Sequence, residues 1–127
     1  MSNEDISSLY TTNAKATIYN GSCYDFVKTI PDDTMKLVIT SPPYNIGKQY
    51  EKKRAIQDYY SLQEAIIDEC VRILKNDGSI CWQVGNYVDK SSIVPLDILL
   101  YPIFAKHNLK LRNRIIWHFG HGLHASK

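Results

Sequence analysis

Ser41, Pro42, Pro43 and Tyr44 form the segment of the chain whose residue types are best suited to chemistry. Ser41 carries a hydroxyl oxygen, and Pro42 offers a carbonyl oxygen on a backbone whose φ angle is fixed by the ring. A residue that precedes proline is pushed into extended geometry, so Ser41 and Pro42 are both held stiffly. Two rigid oxygen acceptors that lie close together can hold both hydrogens of one amino group.

Holding an amino group in this way would serve a specific reaction. The exocyclic amine of adenine or cytosine is a poor nucleophile because its lone pair is delocalised into the ring. Rigid acceptors let the nitrogen become more tetrahedral and need little reorganisation in the transition state. Tyr44 can stack on a base that has swung out of a duplex. The segment therefore predicts methyl transfer to a base amine, with Ser41, Pro42 and Tyr44 as the residues that act on the base. An ordinary turn is the alternative, since proline pairs and aromatic residues are common in turns.

The elements around this segment predict where it lies. Lys36–Thr40 is a continuous apolar, β-branched run, which is typical of a central strand covered on both faces. In open α/β sheets, ligands bind outside the carboxyl ends of the strands, where the segment falls. A helix is predicted downstream, beginning at a capping box of Ser61 and Glu64 and ending at Asn76-Asp77-Gly78. Its predicted buried stripe comprises Leu62, Ala65, Ile66, Cys70, Ile73 and Leu74.

Five further elements are predicted along the chain. They are a strand over Ala16–Tyr19, a helix over Tyr24–Ile30, a strand over Ser79–Val84, a helix over Ile93–Lys106 and a strand over Leu109–Phe119. Pro95 would lie in the first turn of the helix predicted over Ile93–Lys106, and Pro102 would kink or end that helix. The alternation of strands and helices predicts an α/β fold with a parallel, doubly wound sheet. We expect a loose leader over residues 1–15 and a single domain over residues 16–127.

Composition narrows the class of protein. The chain has 127 residues, of which 44% are hydrophobic and 22% charged, and its net charge is +2. These values are typical of a globular protein, and they are compatible with a nucleic-acid partner without requiring one. The sequence lacks an apolar run long enough to cross a bilayer and a recognisable signal peptide, so we expect a cytoplasmic protein with no membrane partner. Three widely spaced cysteines predict reduced thiols.

The stretch KLVITSPPYNIG, Lys36–Gly47, resembles motif IV of the N6-adenine and N4-cytosine DNA methyltransferases. The resemblance continues upstream through IYNGSCYDFVKTIPDD and downstream through ECVRILKNDGSICWQVGNYV and RNRIIWHF. It implies a Rossmann-like class I fold, S-adenosylmethionine as cofactor, DNA as substrate, and the permuted arrangement in which the catalytic half comes first. It also implies that Ser41, Pro42, Pro43 and Tyr44 are the active-site motif, with Ser41 and Pro42 next to the cofactor. A serine in the first position leaves N4 of cytosine and N6 of adenine both open.

The chain departs from the family pattern at two places. Ser22 stands where an acidic residue is usual after the upstream glycine, and the family's glycine-rich cofactor loop is missing from the sequence. Phe119-Gly120-His121-Gly122 is a poor substitute, because too few residues follow it to form the helix that such a loop opens. We therefore predict an incomplete fold, the catalytic half of a methyltransferase domain. The alternative is a truncated or split-subunit fragment, inactive alone, that binds DNA or a second chain carrying the cofactor half.

Other polar clusters are weaker candidates for function. Lys48, Lys52, Lys53 and Arg54 could contact DNA phosphates, although a solvated basic face is as good an interpretation. Lys110, Arg112 and Arg114 would share one face of the last predicted strand and are a second phosphate candidate. His118, His121 and His124 lack the fourth partner of a zinc site, so we expect no metal. Methylation of the cytosine ring carbon is set aside, because its nucleophilic cysteine follows a proline in that family and here none does.

Overall fold

The computed structural model describes residues 9–47 and 52–118. The elements, in chain order, are α1 (Cys23–Val27), β1 (Met35–Thr40), α2 (Ile56–Arg72), β2 (Leu74–Trp82), β3 (Asn86–Asp89), β4 (Ser92–Pro95) and α3 (Leu96–Lys106). Strands β1 and β2 are parallel and connected through α2, whereas β3 and β4 form an antiparallel hairpin. The predicted α/β class and parallel pairing are confirmed in this two-stranded sheet, while the larger Rossmann-like sheet stays a prediction.

Strand β1 is the predicted strand before the Ser41–Tyr44 segment, and its position is confirmed. Its predicted cover on both faces is wrong for the described part of the chain. Val38 and Thr40 are half-buried, but Leu37 and Ile39, which point to the opposite face, are 51% and 71% exposed. A strand alternates its side chains between two faces, so one face of β1 is open among the described residues.

Helix α2 begins earlier than the sequence suggested. Its N-cap is Ala55, which makes no side-chain capping bond, so the predicted capping box of Ser61 and Glu64 is wrong. Both residues lie inside the helix, and the Glu64 carboxylate accepts a hydrogen bond from Lys106 at 2.7 Å. The buried stripe comprises Tyr59, Gln63, Ile67 and Cys70. Of the predicted stripe, Cys70, Ile73 and Leu74 are buried, whereas Ala65 and Ile66 are half-buried and Leu62 is 40% exposed. The buried face of the first turns is therefore rotated from the predicted one, because packing against α3 as well as apolar spacing decides which face is buried.

The predicted helix stop at Asn76-Asp77-Gly78 is also wrong. Helix α2 ends at Arg72, and the carbonyl of Ile73 accepts hydrogen bonds from the N–H groups of Thr34 and Met35, both at 2.8 Å. These bonds turn the chain directly into β2, which is longer than predicted at its start. The Asn-Asp-Gly tripeptide lies where the register of β2 against β1 shifts, between the pairs Met35–Leu74 and Leu37–Ser79. Such turn residues can serve a strand irregularity as well as a helix end.

The hairpin of β3 and β4 was not predicted. Its two central residues, Lys90 and Ser91, both have positive φ angles of 45° and 69°, as a type I′ hairpin turn requires. The hairpin takes the first residues of the helix predicted over Ile93–Lys106, so α3 begins at Leu96 with Pro95 as its N-cap. The helix passes through Pro102 and ends at Lys106.

The first and last predicted strands are wrong within the described residues. Ala16–Tyr19 contributes a single bridge residue, Ile18, and residues 109–118 have no strand and are almost all exposed. A strand needs a neighbour for its hydrogen bonds, and the described residues place no third strand beside β1 or β2. The helix predicted over Tyr24–Ile30 is found as α1, which is shorter. Most of the predicted leader, and Phe119, lie outside the described residues.

The main core joins α2, α3 and the hairpin. It comprises Tyr59, Ile67, Tyr87, Leu96, Leu100 and Ile103, with Tyr44 and Trp82 packed against it. Full burial of one large apolar side chain stabilises a fold by about 1.5–3 kcal/mol. Tyr44 is thereby packed against the main core. None of the helices in the described part of the chain is long and apolar enough to span a membrane.

Candidate active site

The Ser41–Tyr44 segment forms a corner at the carboxyl end of the parallel strand pair. The carbonyl of Thr40, the last residue of β1, accepts a hydrogen bond from the N–H of Gln83 at 3.0 Å, so the two strands are still joined where the corner begins. Pro42 is buried, Ser41 and Pro43 are exposed, and Tyr44 is half-buried. These four residues line a concavity of about 310 Å³. The structure thus gathers all the predicted catalytic residues around one open space, while their catalytic roles stay a prediction.

The two functional side chains of the corner are joined to each other. The Ser41 Oγ atom and the Tyr44 hydroxyl lie 2.7 Å apart and share a hydrogen bond. A serine hydroxyl has one hydrogen and two lone pairs, so when Tyr44 donates this bond Ser41 keeps one lone pair for another donor. The bond therefore orients Ser41 without using up its capacity to accept an amine hydrogen.

The backbone of Gly85 lies close to the Tyr44 ring. A Cβ atom added at Gly85 would lie 3.1 Å from Cδ2 of Tyr44, closer than an ordinary van der Waals contact. The Gly85 carbonyl also accepts a hydrogen bond from the N–H of Leu96 at 3.3 Å, which ties this backbone to the start of α3. Gly85 was not predicted as a site residue from the sequence. Its signal is a glycine three residues after β2, at the same sheet edge as the corner.

Asn45 directly follows the corner, and its side chain is hydrogen-bonded to the backbone of Arg54. The residue is only 2% exposed and has a φ angle of 60°. Its Nδ2 atom donates to the carbonyl of Arg54 at 2.9 Å, and its Oδ1 atom accepts from the N–H of Arg54 at 2.7 Å. One side chain thus satisfies both backbone groups of a residue nine positions away. This residue was also missed, although asparagine directly after the motif is a residue type that tolerates positive φ.

The predicted DNA-binding cluster is only partly described. Lys48 lies outside the described residues, whereas Lys52 and Arg54 are exposed. Lys53 is held by the hairpin, because its Nζ atom donates to the carbonyl of Val88 at 3.3 Å and lies 4.9 Å from the ring centre of Tyr87. DNA contact by this cluster stays a prediction, and the geometry makes Lys52 and Arg54 the better placed of its described members.

The second phosphate candidate loses its structural basis. Lys110, Arg112 and Arg114 do not lie on a strand, and Arg114 is paired with Asp97 through Nη2 at 2.6 Å. His121 and His124 lie outside the described residues. Among residues 9–47 and 52–118, no group of three or more histidine, cysteine or acidic side chains is arranged to hold a metal ion.

The three cysteines do not form part of this site. Cys23 and Cys81 are free and exposed, and Cys70 is free and buried in α2. Burial, with smaller contributions from Cys23 and Glu69, raises the pKa of the Cys70 thiol to about 11, so Cys70 is protonated at neutral pH. None of the three belongs to the corner.

The described residues do not by themselves fit S-adenosylmethionine. Close approach to such a cofactor calls for a glycine-rich turn that opens a helix. In the described part of the chain, α1 follows a single glycine, Gly21, and α2 and α3 follow Ala55 and Pro95. Gly120 and Gly122 lie outside the described residues. Contact of Ser41 and Pro42 with the cofactor therefore stays a prediction.

Comparison with known proteins identifies the family. A family model described as DNA methylase, for N6 and N4 methyltransferases, matches residues 35–127. The Type II methyltransferase M.BglII of Bacillus subtilis is 49% identical over 111 residues, which cover 87% of this chain and 31% of the relative. The Type II methyltransferase M.ScaI of Streptomyces caespitosus is 30% identical over 121 residues, 93% of this chain and 38% of the relative.

A third relative, the DNA adenine methyltransferase YhdJ of Escherichia coli strain K12, is 27% identical over 122 residues, 91% of this chain and 37% of the relative. The chain belongs to the family of N6 and N4 DNA methyltransferases, as its motif predicted. It spans about a third of the length of the curated relatives named here.

Proposed function

We propose that this chain supplies the catalytic corner for methyl transfer from S-adenosylmethionine to an exocyclic amine in DNA, N4 of cytosine or N6 of adenine. The observation that carries the proposal is the Ser41–Tyr44 corner, which faces an open concavity at the carboxyl edge of a parallel strand pair. Family membership and the Type II methyltransferase relatives support the proposal and a place in restriction-modification.

The corner would act on the amine through its two oxygens. The Ser41 hydroxyl accepts a hydrogen bond from one N–H of the amine, and the Pro42 carbonyl accepts a hydrogen bond from the other. Pro42 is buried and Thr40 is hydrogen-bonded to Gln83, so the backbone that carries the two oxygen atoms is held in place. The acceptors therefore keep their positions when the nitrogen becomes tetrahedral. Fixed dipoles of this kind stabilise a transition state without reorganisation cost.

Tyr44 would hold the target base. Its ring lies close to Gly85 and packs against the core, and it is half-buried where it lines the concavity. A base swung out of the duplex can stack on such a ring, and stacking on an aromatic side chain contributes about 1–3 kcal/mol per base. S-adenosylmethionine supplies the electrophilic methyl group when bound, and the described residues account only for the amine side of the reaction.

Methyl transfer can be tested with the full-length product of the gene. The protein is incubated with duplex DNA and S-adenosylmethionine carrying a tritiated methyl group, and the DNA is then digested to nucleosides for mass spectrometry. We expect label in N4-methylcytosine or N6-methyladenine, and the identity of the product decides between the two bases. Label in ring-carbon-methylated cytosine, or unlabelled DNA, would refute the proposal.

A further inference from the structure

The side chain of Asn45 joins two parts of the structure that the proposed reaction needs together. On one side it directly follows Tyr44, which would stack on the base. On the other side its amide holds the backbone of Arg54 through two hydrogen bonds of 2.7 and 2.9 Å. Residues 48–51, which lie between Asn45 and Arg54 in the sequence, are outside the described residues. The Asn45 side chain therefore joins the chain before this segment to the chain after it.

The surroundings of Asn45 make this tie rigid. The amide is buried, so its hydrogen bonds are shielded from competing water, and loss of a buried partner leaves backbone groups unsatisfied. The Arg54 flank is fixed again one residue earlier, where Lys53 is bonded to the Val88 carbonyl of the hairpin. Asn45 and Lys53 thereby anchor the chain after the corner to the same hairpin and core that support Tyr44.

We propose that Asn45 is a positioning residue for methyl transfer. Through its buried amide it holds the Tyr44 ring at a fixed position relative to the Arg54 backbone. The inference rests on the proposed function, because it assigns Asn45 a task in the same reaction. Asn45 does not touch the concavity and acts through Tyr44. Its loss would let the ring shift, and a displacement of about 1 Å at a reacting group can lower a rate about 100-fold.

The decisive variant is Asn45→Gly in the full-length protein. Glycine tolerates the positive φ angle, so the substitution removes the two side-chain bonds while sparing the backbone conformation. Asn45→Asp is the conservative variant, because it keeps an oxygen for the Arg54 N–H but sets a carboxylate against the Arg54 carbonyl. Asn108→Gly is the matched control, since Asn108 has a φ angle of 59° and is exposed just after α3.

We expect Asn45→Gly to lower kcat by about tenfold or more, and Asn45→Asp to lower it less. The KM for DNA should change less than kcat, and Asn108→Gly should behave like the parent protein. A duplex with 2-aminopurine at the target base separates positioning from folding. Its bound emission should be brighter with Asn45→Gly because stacking on Tyr44 is weakened, whereas a smaller folded fraction would leave the emission of bound duplex unchanged.

The inference and the proposed function fail in different ways. Parental kcat and parental emission in Asn45→Gly would overturn the positioning role of Asn45 while methyl transfer stands. A parent protein that transfers no label would overturn the proposed function and the positioning role with it. Amide exchange of Arg54 then still decides whether the tie exists: faster exchange in Asn45→Gly than in Asn108→Gly supports it, and equal exchange overturns it.

Discussion

The two ends of the parallel strand pair are held together in different ways. At the amino end, the Arg72 guanidinium donates to the carbonyls of Val27 and Ile30 and to the carboxylates of Asp32 and Glu69. The Asp32 carboxylate, followed by Glu69, raises the pKa of Arg72, so the guanidinium stays charged. At the carboxyl end, the hydrogen bonds of Ser41, Tyr44 and Asn45 involve neutral groups, and the cationic Lys53 is bonded to the hairpin nearby. We therefore expect the Arg72 end to bear mainly on stability and the Ser41–Tyr44 corner to bear mainly on the reaction.

This contrast shows how a small α/β unit can separate its tasks. Rigid neutral dipoles can hold an uncharged amine with little reorganisation in the transition state. The charged network instead lies at the end of α2, where Arg72 bonds to the segment that leads into β1. Substitutions at one end should therefore change the rate of methyl transfer, and substitutions at the other should change the free energy of unfolding.

The largest effect is expected for Tyr44→Ala. The variant loses the ring that would stack on the base and the hydroxyl that orients Ser41, so methyl transfer should fall by about 100-fold or more. Binding of S-adenosylmethionine, measured by calorimetry, should be nearly unchanged. Tyr101→Ala, a substitution at an exposed tyrosine of α3, is the control and should keep parental activity. Equal activity of Tyr44→Ala and the parent would remove the stacking role.

Ser41→Ala should have the next largest effect. Loss of one hydrogen-bond acceptor for the reacting amine corresponds to about 2 kcal/mol, or roughly a 30-fold lower kcat. The Ser41 side chain is exposed, so thermal unfolding should hardly change. Single-turnover kinetics of methyl transfer measures the chemical step directly, and an unchanged rate constant would show that the Ser41 hydroxyl does not hold the amine.

Arg72→Ala should destabilise the amino end of the strand pair. It leaves the carbonyls of Val27 and Ile30 without this donor, and we expect a loss of about 2 kcal/mol in the free energy of unfolding, measured by urea titration. The kcat of the folded variant should stay within about twofold of the parent, because Arg72 lies at the opposite end of the strand pair from the corner. Arg72→Lys should recover only part of the stability, since an ammonium cannot match the planar fork of donors. A large loss of kcat in a fully folded Arg72→Ala protein would contradict the separation of tasks.

Gly85→Ala should have the smallest effect. The new methyl group would press on the Tyr44 ring from 3.1 Å and shift it slightly, for which we expect about a fivefold lower kcat, a cost of roughly 1 kcal/mol. Gly21→Ala is the control outside the corner, where the added methyl group meets the Tyr19 ring at 2.7 Å, closer than the approach at Gly85. The comparison fails if both variants lose activity equally.

Much of the corner could be predicted from the sequence because its signals are local. The apolar run of β1 and the two prolines after it fix the strand end and the corner without help from distant residues. The family resemblance of Lys36–Gly47 pointed to the same residues. Tertiary contacts are less accessible to such reasoning, and neither the Asn45–Arg54 tie nor the Gly85–Tyr44 contact could be predicted from spacing.

The errors in the fold arise where local signals compete. Asn76-Asp77-Gly78 suits a helix stop, but the bonds to the Ile73 carbonyl end α2 first. Lys90-Ser91 carries a hairpin turn without glycine, which is why the hairpin was missed. Residues 109–118 have a composition suited to a strand, and a strand forms only beside a partner strand.

The central claim, that a base is swung out of the duplex onto the Ser41–Tyr44 corner, is tested most directly by photo-cross-linking. A duplex carrying an iodinated pyrimidine at the methylated position is irradiated in complex with the full-length protein, and the linked peptide is identified by mass spectrometry. We predict a cross-link to Tyr44, which is lost in Tyr44→Ala and retained in Tyr101→Ala. A cross-link that maps away from residues 41–44 and persists in Tyr44→Ala would contradict the account.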